Sequence, residues 1–302
     1  MKKKDEGTGL TFQAYLAQEV DRVKGHYYPV HAPFLQRILN RETAYGKLHP
    51  NPEDEFCNPE IGPNYGIVAQ YEQEFRQDIQ FRTGGYEERS ILEPLIVQKA
   101  RPDGYMILNG HHRWAAAYRA GIDRMKIKIV NLTQLSDIRE MLKGSQSDRR
   151  VTLDLDEVVF CKAKDAPAEK PLPFPWRSIY KERLRLGIPA LFRYFNKKGY
   201  DIWVYSAGYY SADYIQRLFK RYHVHVTGAI TGTGRKVSGN AEVKKELTAM
   251  IAAKYPETVH VDSETVLRVF SRTKDVAEYK LEGTEAWSQR VMDVMETFQS
   301  HA

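Results

Sequence analysis

Cysteine is scarce in this sequence of 302 residues, which has only Cys57 and Cys161. The two do not form a Cys-x-x-Cys pair, so the pattern predicts neither a disulfide framework nor a thiolate zinc site. No apolar run approaches the roughly 20 residues that a membrane-spanning helix needs. The basic N-terminus is not followed by the apolar core of a secretory signal. We therefore expect a cytoplasmic protein with reduced thiols and no membrane association.

The sequence also lacks a concentration of charge of one sign. Its net charge is +6, from 45 basic and 39 acidic residues, and the excess is spread over both halves of the chain. A dedicated nucleic-acid binder gathers its basic residues on one face. A modest, distributed positive charge instead suits a phosphorylated ligand. We expect a nucleotide and a phosphorylated substrate as partners, with nucleic acid as an alternative.

Residues 1–55 read as a helical N-terminal extension, with predicted helices at 12–23 and 33–39, since apolar residues there recur at three- and four-residue spacing. A second region, residues 56–148, contains strand and helix signals and ends in a polar linker. Its predicted strands are 94–98, 105–108 and 126–130, and its predicted helices are 67–81, 114–120 and 132–142. A turn at 101–104 is predicted to join the first two of these strands as a hairpin.

The segment Asn109-Gly110-His111-His112-Arg113 lies between a predicted strand and a predicted helix. The first turn of a helix presents backbone N–H groups that lack an intrahelical partner and can bind an anion. The two histidines and the arginine would add donors and positive charge to a bound phosphate. A glycine turn alone is weak evidence, so phosphate binding and a capped turn that faces solvent both stay open.

Residues 93–121 resemble the ParB/sulfiredoxin superfamily, in Glu93-Pro94-Leu95-Ile96-Val97, in the run from Asp103 to Ala117 and in Ala120-Gly121. That superfamily includes CTP-binding partition proteins, sulfiredoxins and free-serine kinases. The resemblance, which extends over about 60–135, implies an α+β nucleotide-binding domain. It places a nucleoside triphosphate, ATP or CTP, on Gly110, His111, His112 and Arg113. Sulfiredoxins carry cysteine where this chain has His111, so sulfinic-acid reduction is not expected.

Residues 149–302 read as a second domain in which strands alternate with helices. The first predicted strand ends at Asp154, and the next three span 201–205, 224–227 and 259–261. The predicted helices span 183–198, 212–222 and 241–254. The glycine-rich stretch 228–239 is predicted as a flexible hairpin. This alternation predicts an α/β fold with a doubly wound parallel sheet.

Acidic and hydroxyl residues follow these predicted strands. Asp154 and Asp156 have one residue between them and would face the same way on an extended chain. Ser206 and Asp262 follow two later strands. Because function gathers at the carboxyl ends of parallel strands, these residues predict a divalent cation with a phosphoryl group. The alternative is a solvated strand end with two idle acids.

These positions resemble motifs of the haloacid-dehalogenase (HAD) superfamily, over about residues 150–270. The matching segments are Leu153-Asp154-Leu155-Asp156-Glu157-Val158, Val204-Tyr205-Ser206-Ala207 and Val261-Asp262-Ser263-Glu264, with Lys244 or Lys245 for the lysine motif. The resemblance implies a Rossmann-like fold with Asp154 as nucleophile and Asp156 as general acid and base. It also implies that Ser206 and Lys244 hold the phosphate, and that Asp154, Asp156 and Asp262 bind Mg²⁺. Val158, where threonine is common, is a departure from the pattern.

The sequence therefore favours a two-domain phosphoryl-transfer enzyme. In this interpretation a Mg²⁺-dependent HAD-type phosphatase is joined to a ParB/sulfiredoxin-like nucleotide-binding domain with kinase or NTPase activity. The substrate would be a phosphorylated small molecule, protein or nucleic-acid end. The alternative interpretation is a nucleotide-gated, DNA-associated ParB-like binding protein or nuclease in which the HAD domain is an inactive scaffold.

Overall fold

The computed structural model describes residues 11–83, 93–162, 167–233, 241–273, 275–283 and 285–300. Within these ranges the chain forms two compact units, unit 1 up to residue 131 and unit 2 from residue 132. The sequence placed the boundary near residue 148 instead. Residues 135–144 form a helix that buries Ile138 and Leu142 against Trp203 and Ile230, so this helix packs in unit 2.

Unit 1 is a mixed α/β unit built on one sheet. Its described helices are α1 (Phe12–Val23), α2 (Phe34–Leu39), α3 (Tyr65–Thr83) and α4 (His111–Ala120). Its described strands are β1 (Tyr28–Pro29), β2 (Glu42–Ala44), β3 (Leu48–His49), β4 (Leu95–Arg101), β5 (Tyr105–Asn109) and β6 (Arg124–Ile129). The sheet order is β2-β6-β4-β5-β3, and β1 pairs with β4.

The N-terminal 55 residues are more than a helical extension. They contain the predicted helices α1 and α2, but they also supply β1, β2 and β3 to the sheet of unit 1. Strands of two or three residues are too short to show the alternation by which a strand is read from sequence. The predicted hairpin between β4 and β5 is confirmed by their antiparallel pairing.

Helix α4 packs closely against the sheet of unit 1 because its inward side chains are small. Ala115, Ala116 and Ala117 have no exposed surface, and neither does the adjacent Trp114. These residues share one apolar core with Leu95 of β4. The start of α4, where the candidate phosphate turn lies, is therefore fixed by the same core that holds β4.

Unit 2 has a second sheet with helices on both faces. Its described helices are α5 (Leu135–Gly144), α6 (Trp176–Ile179), α7 (Ile188–Lys197), α8 (Ala212–Arg221), α9 (Ala241–Lys254) and α10 (Trp287–Ser300). Its described strands are β7 (Arg149–Asp154), β8 (Asp201–Ser206), β9 (Gly228–Thr231), β10 (Glu257–Val261), β11 (Thr265–Phe270) and β12 (Val276–Lys280). One core lies between the sheet and α7, α8 and α10, and another between the sheet and α5 and α9.

The strand order in unit 2 is β12-β11-β10-β7-β8-β9. Strands β10, β7, β8 and β9 are parallel, which confirms the prediction of a parallel sheet, whereas β11 and β12 are antiparallel additions. The chain passes from β7 through β8 to β9 on one side and then returns to β10 on the other side of β7. Ligands of such sheets bind outside the carboxyl ends of the strands, where the order reverses.

Two predicted elements of unit 2 are displaced. The helix predicted to begin at 183 begins at Ile188, because residues 184 and 185 form bridges with Phe160 and Ala168. The strand predicted at 224–227 lies at Gly228–Thr231 instead. Gly228 is paired with Trp203 of β8, and a Cβ atom at Gly228 would lie 2.3 Å from the indole ring. A glycine that usually signals a loop is here a strand residue, because the neighbouring tryptophan fills the space above it.

This close approach gives a stability test. Replacing Gly228 by alanine forces the Trp203 ring to move, and we expect the free energy of unfolding to fall by about 1–3 kcal/mol. Gly144→Ala is the matched control, since its added Cβ would meet nothing within 4 Å. We expect the control to leave stability unchanged or to raise it by up to about 1 kcal/mol. Urea unfolding followed by circular dichroism measures both variants, and equal stabilities would contradict the packing described here.

Candidate functional site

Asp154 ends β7 at the point where the strand order of unit 2 reverses. The sequence predicts an extended chain beyond Asp154, but the chain makes a single helical turn at Leu155–Val159. Its Oδ1 caps that turn, accepting hydrogen bonds from the backbone N–H groups of Asp156 at 2.6 Å and Glu157 at 2.9 Å. In the described part of the chain, no hydrogen bond is donated to its Oδ2. Asp154 therefore has a structural role as a cap and keeps one oxygen directed elsewhere.

The Asp156 side chain is held against the end of β8. Its Oδ2 accepts hydrogen bonds from the Ser206 hydroxyl at 2.8 Å and from the Ala207 N–H at 2.9 Å. Ser206 is completely buried, and its hydroxyl also accepts a hydrogen bond from the N–H of Gly208. The expectation that Ser206 contacts a phosphate remains a prediction, and the structure adds a second role. Ser206 orients Asp156.

Asp262 lies beside Asp154 because their strands are in register. Val261 of β10 pairs with Leu153 of β7, so the two aspartates follow paired positions at the same edge. Asp262 is exposed, and its Oδ1 accepts a hydrogen bond from the N–H of Ser263. No group of three or more His, Cys, Asp or Glu side chains that could hold a metal ion occurs among the residues that the structure describes. Oδ2 of Asp156 accepts hydrogen bonds from Ser206 and Ala207, so the acidic oxygens free to hold Mg²⁺ at this edge are mainly those of Asp154 and Asp262, and the predicted metal set remains a prediction.

The lysine of the predicted site lies on α9. The side chain of Lys244 lies outside the described residues, so its position remains a prediction. Lys245, the alternative, is exposed on the same helix. Neither observation chooses between them.

An aromatic wall formed by Phe160, Tyr210 and Tyr214 borders the carboxyl edge. Tyr210 follows β8, and its ring lies 5.8 Å from that of Phe160 and 6.5 Å from that of Tyr214. A Cβ atom at Gly208 would be 3.0 Å from the Tyr210 ring. Burial raises the pKa of Tyr210 to about 12, and the carboxylates of Glu182 and Asp156 act in the same direction. In the sequence, the signal for this wall is the pair Tyr210 and Tyr214, which follow the strand 201–205 and lie four residues apart.

In unit 1, Gly110 precedes α4 in a left-handed conformation, with φ of 101°. Glycine adopts this conformation without strain, and it turns the chain from β5 directly into the helix. A Cβ atom at Gly110 would lie 2.5 Å from Leu95, so the position is also sterically closed to larger residues. The first-turn N–H groups of α4 follow this turn, as predicted.

The side chains of the predicted phosphate site point largely into unit 1. His111 is 4% exposed, and its Nε2 accepts a hydrogen bond from the N–H of Asn51. Its ring stacks on Phe56, with centroids 5.3 Å apart. His112 is half-buried, and its Nε2 accepts a hydrogen bond from the N–H of Asn64 at 3.1 Å. This bond ties the start of α3 to the start of α4.

Arg113 connects the turn to the start of β4. Its guanidinium donates hydrogen bonds to the carbonyl groups of Glu93 and Pro94 and, at 3.2 Å, to Oδ1 of Asn109. The residue is 7% exposed. It therefore supports the backbone around the turn, next to the backbone N–H groups of the first turn of α4.

None of the helices in the described part of the chain has the length and hydropathy needed to cross a lipid bilayer. Cys57 and Cys161 are both free, as the sequence predicted. Burial raises the pKa of the Cys57 thiol to about 12, so this thiol is not a reactive thiolate near neutral pH. The chemistry of both candidate sites is consequently that of oxygen and nitrogen groups.

Residues 75–145 match the family model of the ParB N-terminal domain, and this range includes β4, β5 and the whole of α4. No curated protein matches this chain. The ParB part of the sequence resemblance is thus confirmed over these residues. The HAD resemblance of residues 150–270 remains a prediction.

Two solved structures of the C-terminally truncated chromosome-partitioning protein ParB from Caulobacter crescentus are similar to part of this chain. The complex with CTP-gamma-S is 23% identical, covers 36% of this chain and 55% of its own, and has a TM-score of 0.24. The complex with the centromeric parS site is 20% identical, covers 36% of this chain and 50% of its own, and has a TM-score of 0.21. The chain spans about half the length of these ParB chains. With TM-scores this low, the two structures say nothing about the fold of this chain. The similarity to ParB therefore rests on the family match of residues 75–145.

The histidine between α3 and α4 gives a prediction about pH. Burial lowers the pKa of His112 below its ordinary value of 6.5, against an opposing effect of Asp54. The unfolded chain then binds the proton more readily, so stability is complete above pH 6.5 and falls as the pH drops through the lowered pKa. We expect His112→Gln to lose less stability than the wild type between pH 7 and pH 5. Denaturant titrations at several pH values measure this, and parallel pH profiles would contradict it.

Proposed function

We propose that this protein is a ParB-like nucleotide-binding protein, in which unit 1 binds the phosphates of a nucleoside triphosphate. The observation that supports this most is the match of residues 75–145 to the ParB N-terminal domain, since that range includes the turn from Gly110 to Arg113. The match favours the alternative interpretation of the sequence over the phosphatase that the sequence put first. ATP and CTP are the ligands that the superfamily resemblance implies.

The geometry of the turn supports phosphate binding by the backbone. The start of α4 offers N–H groups that have no intrahelical acceptor, and the positive end of the helix dipole adds to their attraction for an anion. The bond from Asn64 N–H to His112 brings the start of α3 to the same place. His111 and Arg113 hold this arrangement from behind. Arg113→Ala would therefore disturb the fold of unit 1 and is a poor test of ligand contact.

A charge added beside the turn is a sharper test. Tyr65 is 42% exposed in the first turn of α3, next to Asn64. Tyr65→Glu places a negative charge near the proposed phosphates while remaining favourable for the helix that carries it. We expect it to weaken triphosphate binding several-fold, as measured by isothermal titration calorimetry with ATP, CTP, GTP and UTP. Gln73→Glu, an exposed position further along α3, is the control with the same charge change and should bind normally.

The proposal fails if the wild-type protein binds none of the four triphosphates at millimolar concentration. If Tyr65→Glu and Gln73→Glu both bind the triphosphates as the wild type does, the proposed position of the binding site is wrong. DNA is the corresponding macromolecular partner in the proposal, because one of the ParB structures holds the parS site. Duplex DNA added with and without the bound nucleotide tests that extension separately.

Phosphoryl transfer at the carboxyl edge of unit 2 is the second candidate function. The specific observation in its favour is the Oδ2 atom of Asp154 at the reversal point of the sheet, which accepts no hydrogen bond in the described part of the chain, with Asp156 held alongside by Ser206. In this proposal Asp154 attacks phosphorus as the bond to the leaving group breaks, and Asp156 supplies the proton to that group. Water then attacks the phosphorus of the aspartyl phosphate as its bond to Asp154 breaks, and Asp156 takes up the proton of the water, so that inorganic phosphate is released. Asp154 and Asp262 would be the side chains that hold a divalent cation, which would neutralise charge on the phosphoryl oxygens.

Substitution of the proposed nucleophile tests this second function. We expect Asp154→Asn to reduce phosphate release by at least about 10³-fold, because an amide cannot form the aspartyl phosphate. Phosphate release from phosphorylated nucleotides, peptides and oligonucleotides is measured with added Mg²⁺. Asp148→Asn, an exposed residue beside the opposite end of β7, is the matched control and should retain full activity. Equal rates for wild type and Asp154→Asn would rule the mechanism out.

A further inference from the structure

Two described stretches between the helical turn after β7 and α7, residues 160–162 and 167–186, lie beside the carboxyl edge of unit 2. We call these two stretches the basic excursion. Phe160 bridges Leu184, and the N–H of Cys161 donates a hydrogen bond to the carbonyl of Arg183. The N–H of Arg185 donates to the carbonyl of Val159, at the end of the turn that carries Asp156. The excursion is thus anchored directly next to the Asp154 and Asp156 pair.

Positive charge predominates on this excursion. Its described part has two acidic side chains and six basic ones, which are Lys162, Lys170, Arg177, Lys181, Arg183 and Arg185. All of the basic residues except Arg185 are exposed. Both acidic side chains are engaged within unit 2. Glu169 accepts a hydrogen bond from the N–H of Gly187, and Glu182 accepts one from the Tyr214 hydroxyl. The surface that faces solvent is consequently basic.

One exposed aromatic ring, that of Phe174, lies among these charges, close in sequence to the half-buried Trp176. Phe174 is 76% exposed within Pro171-Leu172-Pro173-Phe174-Pro175-Trp176, and the buried Leu172 anchors that segment. Prolines restrict the backbone on both sides of Phe174 and so reduce the entropy lost when a ligand packs on the ring. The guanidinium of Arg221 lies 3.5 Å from the centroid of the Trp176 ring. A single exposed aromatic residue is ordinary, but here it is set among exposed cations.

The wall formed by Phe160, Tyr210 and Tyr214 continues these rings toward the carboxyl edge. Tyr214 connects the two parts, because its hydroxyl donates hydrogen bonds to the carbonyl of Ile179 and to Glu182. Tyr210 and Tyr214 are inclined by only 17° to each other. Rings and cations therefore occupy one side of unit 2, from the excursion to the start of α8.

We propose that the basic excursion and the adjoining tyrosines bind a single-stranded nucleic acid. Proteins that bind single strands combine cations that follow the phosphate backbone with aromatic rings on which the bases stack. Bases in a duplex are already stacked and offer no face to Phe174 or Trp176. An acidic peptide would satisfy the cations but would leave most of the rings without a flat partner. The binding surface belongs to unit 2 and does not depend on nucleotide binding by unit 1.

Fluorescence anisotropy with the full chain tests the surface. The probes are a labelled single strand of about 12 nucleotides, the duplex of the same sequence, and a phosphopeptide of equal charge. We expect the single strand to bind most tightly and Arg177→Glu/Lys181→Glu to weaken it at least tenfold. The slope of affinity against salt should become shallower by about 1.4, since two phosphate contacts are lost. Phe174→Ala should weaken binding about tenfold through lost stacking.

Matched controls distinguish this surface from a general effect of charge. Lys143→Glu/Lys197→Glu makes the same charge change on exposed residues in the last turns of α5 and α7. These turns lead into β7 and β8 and so lie at the opposite edge of the sheet. Val276→Ala, at a residue that is 62% exposed on β12, is the control for Phe174→Ala. Both controls should bind the single strand like the wild type.

The proposal is overturned if the single strand does not bind at low salt, or if the duplex or the phosphopeptide binds as tightly. It is also overturned if the control pair weakens binding as much as the excursion pair, or if neither pair does. Binding is measured without added Mg²⁺ and without turnover, so its result does not depend on catalysis. The surface can therefore be established whether or not the phosphoryl-transfer proposal holds.

Discussion

The position of β7 between two parallel neighbours is the constraint on which the carboxyl edge of unit 2 depends. Its pairing with β8 and β10 places Asp154, Ser206 and Asp262 at one edge, although more than 100 residues of sequence separate the first from the last. The helical turn after β7 then directs Asp156 toward the end of β8. Without this register the four residues would share no site, whatever their identity.

Burial decides which of these polar groups can meet a ligand. Ser206 is covered completely and its hydroxyl donates to Asp156, whereas Asp154 and Asp262 keep exposed surface. In unit 1, His111 and Arg113 are likewise buried and hold the backbone around the turn. In both units, some of the side chains that the motifs single out therefore have structural partners.

Local patterns were sufficient for elements that have enough residues to show a period. Helices α1 and α9 have the predicted bounds, and β4, β5 and β8 lie within one to three residues of theirs. The three short strands before residue 50 were missed because their pairing partners lie far along the chain. β9 was displaced because Gly228 reads as a loop signal until Trp203 is placed beside it.

The sequence predicted where the candidate sites lie better than it predicted which hydrogen bonds their side chains make. Strand ends and a glycine before a helix are visible in sequence, and both mark the edges found in the structure. The hydrogen bonds from Ser206 to Asp156 and from Arg113 to the carbonyls near β4 join residues 50 and about 20 positions apart. Such partners depend on tertiary packing, which residue spacing does not encode.

The buried guanidinium of Arg113 has an electrostatic consequence for the turn at Gly110. Its positive charge lies beside Gly110 and is bonded to carbonyl oxygens, and the exposed carboxylate of Glu93 is 3.9 Å from it. Mobile ions screen a buried charge much less than one at the surface. The attraction of this turn for an anion should therefore persist at salt concentrations that weaken binding to the exposed lysines and arginines of unit 2.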